Sequence, residues 1–446
     1  MEFNDFIKQA ARVKPDERQL RMLRETPFYL FVHFSPNTYT DLEWGDGTED
    51  PAIFNPTELD CEQWARAAIS AGAKGIILTA KHHDGFCLWQ SAYTEHCMKN
   101  SPYKNGEGDV VRECADACRK YGLKFGFYLS PWDRNSKYYG TDEYNDYYCN
   151  QLTELLTNYG EIFHVWFDGA CGEGPNGKKQ VYDFDRYLAL IEKYQPQATY
   201  FNDAGIIRWC GNESGTAAHA QWAVVPSELC FHNKNIQTGA GPFAGTLEGI
   251  YNSDGDLGAL SNILYSKGLV FSPAETDMSI RPGWFWHEQQ QPHSLERLFD
   301  TYLGTVGGNT TFNLNVPPMK NGRFDSRDVK RLAELGELIR KSFEKDISAD
   351  GKIEEAALSD TQSVFTLTLP EKRHISFIEI AERISEGQRV EGFKLFFDDC
   401  GIIKQLAQGT TIGSRRILKV DRDTDIIKLK IISARDRADI EWIKLY

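Results

Sequence analysis

Several short apolar stretches of this chain end on side chains that can hold or move a proton. The segments FVHFSP, AKHHDGF, GFYLSPW, VWFDGA, FNDAG and PAETD place His33, His82 and His83, Tyr128 and Trp132, Asp168, Asn202 and Asp203, and Glu275 where such stretches stop. A lone aspartate in that position is ordinarily a turn residue, and the Asp168-Gly169 pair is common turn chemistry. Polar groups repeated at most of the strand ends imply a shared site instead. A pair of carboxylates on either side of a sugar's anomeric carbon suits this set. One attacks, the other protonates the departing oxygen, histidines hold hydroxyls and aromatic rings cover the apolar sugar face.

Two other classes compete with that reading. A metal-dependent hydrolase could use His33, His82, His83 and Asp168, which are all ligand types. Its usual spacing is missing, because no HxH follows the first strand, no HExxH occurs, and adjacent histidines on a strand point to opposite faces. A non-catalytic carbohydrate-binding protein would need neither a buried carboxylate nor a second one opposite it.

Positioning such groups takes a scaffold that brings many strand ends together. One unit recurs along the chain: an amphipathic helix, a glycine, a short apolar strand, a polar cluster. CEQWARAAISAGAKGIILTAKHHDGF, VVRECADACRKYGLKFGFYLSPWD and YCNQLTELLTNYGEIFHVWFDGA are successive copies. The glycine fits the residue just past a helix, and near-continuous apolar strands fit a parallel sheet buried on both faces. FYLFVHFSP before these copies, and ATYFNDAG, SKGLVFSPAETD and TTFNLNVPP after them, extend the series to seven or eight strands. The fold class is therefore α/β, a TIM-like barrel over residues 1–346. No GxGxxG follows the first strand, which counts against a dinucleotide fold. Alternation along a strand puts Trp166 and Asp168 on one face, toward the barrel interior.

Beyond EKDISADGK the pattern changes to short alternating stretches, SVFTLTLP, ISFIEIAE, VEGFKLFF, DIIKLKIIS and IEWIKLY. Residues 347–446 read as a β-sandwich domain.

The net charge of −14 argues against a nucleic-acid partner. The apolar runs are too short for membrane insertion, and the N-terminus has no apolar signal core. That places the chain in the cytoplasm, or in the periplasm or outside the cell if a leader has been removed. The ten cysteines are scattered without CxxC spacing and read as free thiols.

Taken together, FVHFSPNTYTDLEWGDG, TAKHHDGFCLW, FYLSPWD, VWFDGA, IRWCGNESG and PAETDMSIRPGWFW resemble glycoside hydrolase family 29, the retaining α-L-fucosidases, over the whole chain. The resemblance implies Asp168 as nucleophile and His33, His82, His83 and Tyr128 as groups around the fucose. It places Glu43 and Trp44 at the pocket rim, with Trp166 and Trp284 also in the site. GNESG is similar to the motif of the subgroup acting on α-1,3- or α-1,4-linked fucose in branched glycans, and it implies Glu213 as acid/base. A fucosylated glycan is then the substrate, and no metal or organic cofactor is needed. Double displacement calls for carboxyl groups roughly 5 to 5.5 Å apart. A negative Asp168 nearby would raise the pKa of Glu213 by like-charge repulsion. The small domain is similar to galactose-binding-like sandwiches, with a docking role as the expectation.

Overall fold

The computed structural model describes residues 3–201, 206–228, 256–264 and 266–446. Strands β1 (Phe28–Val32), β2 (Gly75–Lys81), β3 (Lys124–Leu129), β4 (His164–Trp166) and β5 (Thr199–Phe201) lie side by side in chain order, each pair parallel. Next in sequence come β6 (Arg208–Trp209), β7 (Val224–Pro226), β8 (Leu269–Phe271), β9 (Ala274–Ser279) and β10 (Thr310–Asn315). β10 pairs with β1, β9 with β10 and β6 with β9, again in parallel. A parallel bridge between Phe201 and Ile207 brings the sheet back on itself, so its eight strands form a TIM-like barrel.

Helices precede most strands, and local chemistry sets their ends. Helix Cys61–Ala71 leads into β2; Asp60 accepts a hydrogen bond from the Gln63 amide at its start. It stops at Gly72, whose φ of 85° is open to glycine at little cost. Helix Val110–Tyr121 repeats this before β3, with Asp109 capping the Arg112 amide and Gly122 at φ 69°. Each helix buries its apolar face, Trp64, Ala65 and Ala68 in one and Val111, Cys114 and Cys118 in the other. β1 and β2 are buried throughout, as strands covered on both faces must be. The cysteines among the described residues are free. No helix of the described residues is long and apolar enough to cross a membrane.

Two barrel strands depart from the sequence reading. SKGLVFSPAETD reads as one strand, but the apolar Leu269–Phe271 pairs with β7 in a separate antiparallel ladder. The barrel strand is the polar AETDMS beyond Pro273, buried at every position because its side chains pair inside the barrel. The second, β6, leaves no apolar signature. It is two residues long and contains Arg208, which is buried because its guanidinium donates to the carbonyls of Ser272 and Trp222.

The C-terminal region is antiparallel: β11 (Lys352–Ala357), β12 (Ser363–Glu382), β13 (Val390–Asp399), β14 (Ile402–Gly409), β15 (Arg416–Ala434) and β16 (Ile440–Leu445). SVFTLTLP and ISFIEIAE are halves of the single long strand β12. The polar Glu371–His374 stretch between them is an exposed part of that strand, not a turn, with the register against β15 shifting between Thr368 and Arg373. Phe365 and Leu367 from one half meet Ile378 and Ile380 from the other in one apolar core. Contacts with the barrel region include Arg24, which donates to the carbonyls of Ser414 and Glu382, pairs with Glu441 and stacks on Trp442, and Asn309, which accepts from the Ser414 amide.

Candidate active site

The C-terminal ends of the barrel strands surround one cleft. His33, Glu43, Trp44, His82, His83, Tyr128, Trp166, Asp168, Glu213 and Trp284 all line it. Asn202 and Asp203 fall outside the described residues.

Asp168 stands two positions past the last residue of β4. Its Oδ1 accepts the Ala170 amide at 2.7 Å and its Oδ2 accepts the Tyr128 hydroxyl at 3.0 Å. Nε2 of His83 lies 3.8 Å from Oδ2, and the carboxylate keeps a quarter of its surface open to the cleft. Such a group is oriented and within reach of a ligand. Trp166, one pleat below, donates Nε1 to Glu275 at 2.8 Å and stacks on Phe201 with ring centroids 4.0 Å apart.

Hydrogen bonds assign the histidine tautomers. Asn315 spends its NH2 group on Ser279 Oγ and the Trp284 carbonyl, so its Oδ1 is an acceptor and His33 Nδ1, 2.9 Å away, must donate. His33 therefore keeps Nε2 as an acceptor. Burial pushes its pKa down to about 3, so the ring is neutral. His83 is similar: Ser130 Oγ gives its proton to the Trp132 carbonyl and accepts from His83 Nδ1 at 2.7 Å. His82 is the reverse. Its Nδ1 faces the Asn37 NH2 group at 3.3 Å, which leaves Nε2–H as the donor. Burial also lowers the pKa of His82 and His83. The trio offers two acceptors and one donor, a pattern suited to sugar hydroxyls. Both adjacent histidines line the cleft because β2 ends at Lys81; they sit in the following turn, where strand alternation no longer applies.

Opposing loops build the rim. Trp44 is 59% exposed and meets His83 and Trp132 edge to face. Glu43 accepts the Trp284 backbone amide at 2.9 Å, and Trp284 Nε1 donates to Glu213 Oε2 at 3.2 Å. Glu213 is a loop residue, as its sequence context implies, but the loop follows β6 and thus extends the barrel's strand-end series. Its pKa is raised. Crowding by the cleft wall is the first cause, with Asp168 and Glu43 adding repulsion against the Trp284 hydrogen bond. Like-charge repulsion is therefore real but secondary, because Glu213 is exposed as a residue while its carboxyl faces the wall.

Glu275 does not reach the cleft. It is the second residue of β9, fully buried, and takes bonds from Tyr29, Trp166 and Asn313 with His164 Nε2 3.4 Å away. One pleat higher on the same face is Asp277, which sequence reasoning missed. It lines the cleft with one oxygen held by Trp209 Nε1 at 2.9 Å, and burial raises its pKa well above the usual range. Phe31 and Ala170 also line the cleft. The inward period-two pattern of AETDMS could have pointed to Asp277 once the strand was placed correctly.

Arg281 pairs with Asp328 at 2.8 Å and Asp325 at 3.0 Å, not with Glu275, and donates to the Gln290 carbonyl. It anchors the loop that carries Trp284. Arg281→Met would leave Asp328 buried without its ion-pair partner, while Asp325 keeps Arg327; the loss should destabilise the fold by about 3 to 5 kcal/mol in urea denaturation.

A parallel barrel with an oriented carboxylate open to the cleft, a second carboxyl of raised pKa and neutral histidines among aromatic rings fits a glycoside hydrolase. Residues 29–344 match the family Alpha-L-fucosidase. Alpha-L-fucosidase 1 of Arabidopsis thaliana is 40% identical over 94% of this chain and 84% of its own. A glycoside hydrolase 29 family member from an unknown rumen bacterium superposes with a TM-score of 0.86 at 38% identity, covering 98% of this chain and 77% of that one. A Ruminococcus gnavus GH29 fucosidase solved in complex with fucose gives 0.83 at 28% identity, over 98% and 95%. This chain belongs to the α-L-fucosidases of glycoside hydrolase family 29.

Proposed function

We propose that this α-L-fucosidase is a retaining exo-enzyme that removes terminal α-1,3- or α-1,4-linked fucose by double displacement. The reading is carried by one observation: the carboxyl groups of Asp168 and Glu213 share a single cleft. Asp168 is held in place by the Tyr128 hydroxyl and the Ala170 amide. Glu213 keeps its proton to higher pH than a free glutamic acid.

Asp168 attacks the anomeric carbon while Glu213 gives its proton to the leaving oxygen, so the glycosidic bond breaks as the fucosyl ester forms. Glu213, now a carboxylate, takes a proton from water as that water attacks the anomeric carbon of the fucosyl enzyme. Asp168 leaves, and Glu213 is protonated again. Tyr128 keeps the attacking oxygen oriented, and Trp284 does the same for the acid. The fucose complex of the Ruminococcus gnavus enzyme supports fucose as the sugar in the cleft. The linkage reading rests on the GNESG segment, whose glutamate lines the cleft.

Incubation with a panel of fucosylated oligosaccharides should release free fucose. Branched Lewis-type trisaccharides should be cleaved roughly tenfold or more faster than an α-1,2-linked fucosyllactose. Equal or reversed rates would overturn the linkage assignment and leave the fucosidase activity standing.

A further inference from the structure

His287 lies outside the cleft lining, yet it joins the loops that form the rim. Its Nδ1 is 2.6 Å from Asp41 Oδ1, and its Nε2 is 2.6 Å from Glu43 Oε1. A neutral imidazole carries one N–H and cannot donate to both partners. Asp41 is 69% exposed, and Glu43 is already accepting the Trp284 amide through its other oxygen. The imidazolium satisfies every contact, with two short charge-assisted bonds. Burial pulls the pKa of His287 down, but the bonds to Glu43 and Asp41 outweigh it and raise it overall.

The seam is tight. A Cβ at Gly283 would fall 2.3 Å from Glu43 Oε1 and 3.1 Å from His287 Cδ2, so glycine is what lets the second loop approach. From His287 the contacts run to Glu43, then to the Trp284 backbone, then through the Trp284 indole to Glu213.

We propose that His287, as a cation between Asp41 and Glu43, is a positioning residue that fixes Trp284 against Glu213 and so aims the acid/base carboxyl. This rests on the assignment of Glu213 in the proposed function. With Oε2 held by the indole, Oε1 is left for the leaving oxygen. When the clamp is lost Asn315 and Arg281 still hold the Trp284 loop, but the backbone amide loses its fixed Glu43 partner and the indole is aimed less firmly at Glu213; proton delivery suffers while attack by Asp168 does not.

The test uses the full-length enzyme as wild type, His287→Gln, Glu213→Ala and the double variant. Substrates are a branched Lewis-type fucosylated trisaccharide and an activated aryl fucoside. His287→Gln should lower kcat on the oligosaccharide by about tenfold, a fraction of a general acid's contribution. On the aryl fucoside the loss of the first step should stay within about twofold, because that leaving group hardly needs a proton. In the Glu213→Ala background His287→Gln should add nothing. Equal losses on both substrates, or an undiminished loss in that background, would overturn the clamp. A wild type that releases fucose from neither substrate would instead overturn the functional reading itself. Independently of any variant, 15N NMR of ring-labelled histidine should show both His287 nitrogens protonated at neutral pH. A neutral tautomer there would also overturn the proposal.

Discussion

Asp168→Gly should reduce turnover of every fucoside by roughly 10⁴- to 10⁶-fold, whatever the leaving group. The substitution removes the carboxylate whose Oδ2 is held by Tyr128 and whose Oδ1 is held by the Ala170 amide. Nothing else among the described residues stands in the same place. Glu275 is buried a pleat below under its own donors, and Asp277 is held by Trp209. The lost carboxylate leaves room for a small anion. Azide should restore part of the rate on an aryl fucoside, and the product should be the β-fucosyl azide, since azide then takes the nucleophile's place in one inversion. Rescue yielding the α-azide would place the nucleophile elsewhere. Steady-state kinetics with product analysis by NMR checks both statements.

Glu213→Ala should behave differently according to what leaves. Natural glycans need the proton, so their hydrolysis should fall by about 10²- to 10⁴-fold. An aryl fucoside should still load the enzyme, and the fucosyl ester on Asp168 should accumulate because no base activates water. Azide then attacks that ester from the face water would use, giving the α-fucosyl azide. A variant that loses nothing on oligosaccharides would move the acid/base role to another carboxyl, Glu43 or Asp277, which line the same cleft. Intact-mass spectrometry of the quenched reaction detects the accumulated ester directly.

Much of this site is legible in the sequence because barrel strands announce themselves. β1 and β2 are apolar runs buried on both faces, so the residues that end them stand out, and His33, His82 and His83 follow. Asp168 is visible for the same reason, and Trp166 through the period of two. Legibility fails where polar side chains satisfy one another inside the barrel. AETDMS is fully buried but has no apolar signature, so the neighbouring Leu269–Phe271 run takes its place in the reading and Asp277 is overlooked. β6 fails similarly, since a buried arginine with carbonyl partners looks like a surface residue in a sequence. The rim is harder still. Glu43, Trp284 and His287 meet across more than two hundred residues of chain, and no local pattern encodes that meeting.

The central claim is that Asp168 forms a covalent fucosyl enzyme, and the stereochemistry of the first-formed sugar tests it most directly. Hydrolysis of an aryl α-L-fucoside followed by 1H NMR, before the product mutarotates, reports the anomer released. Two inversions, one at Asp168 and one at water, should deliver α-L-fucose first, with the β anomer growing in later. β-L-Fucose as the initial product would mean a single direct attack by water and would contradict the account.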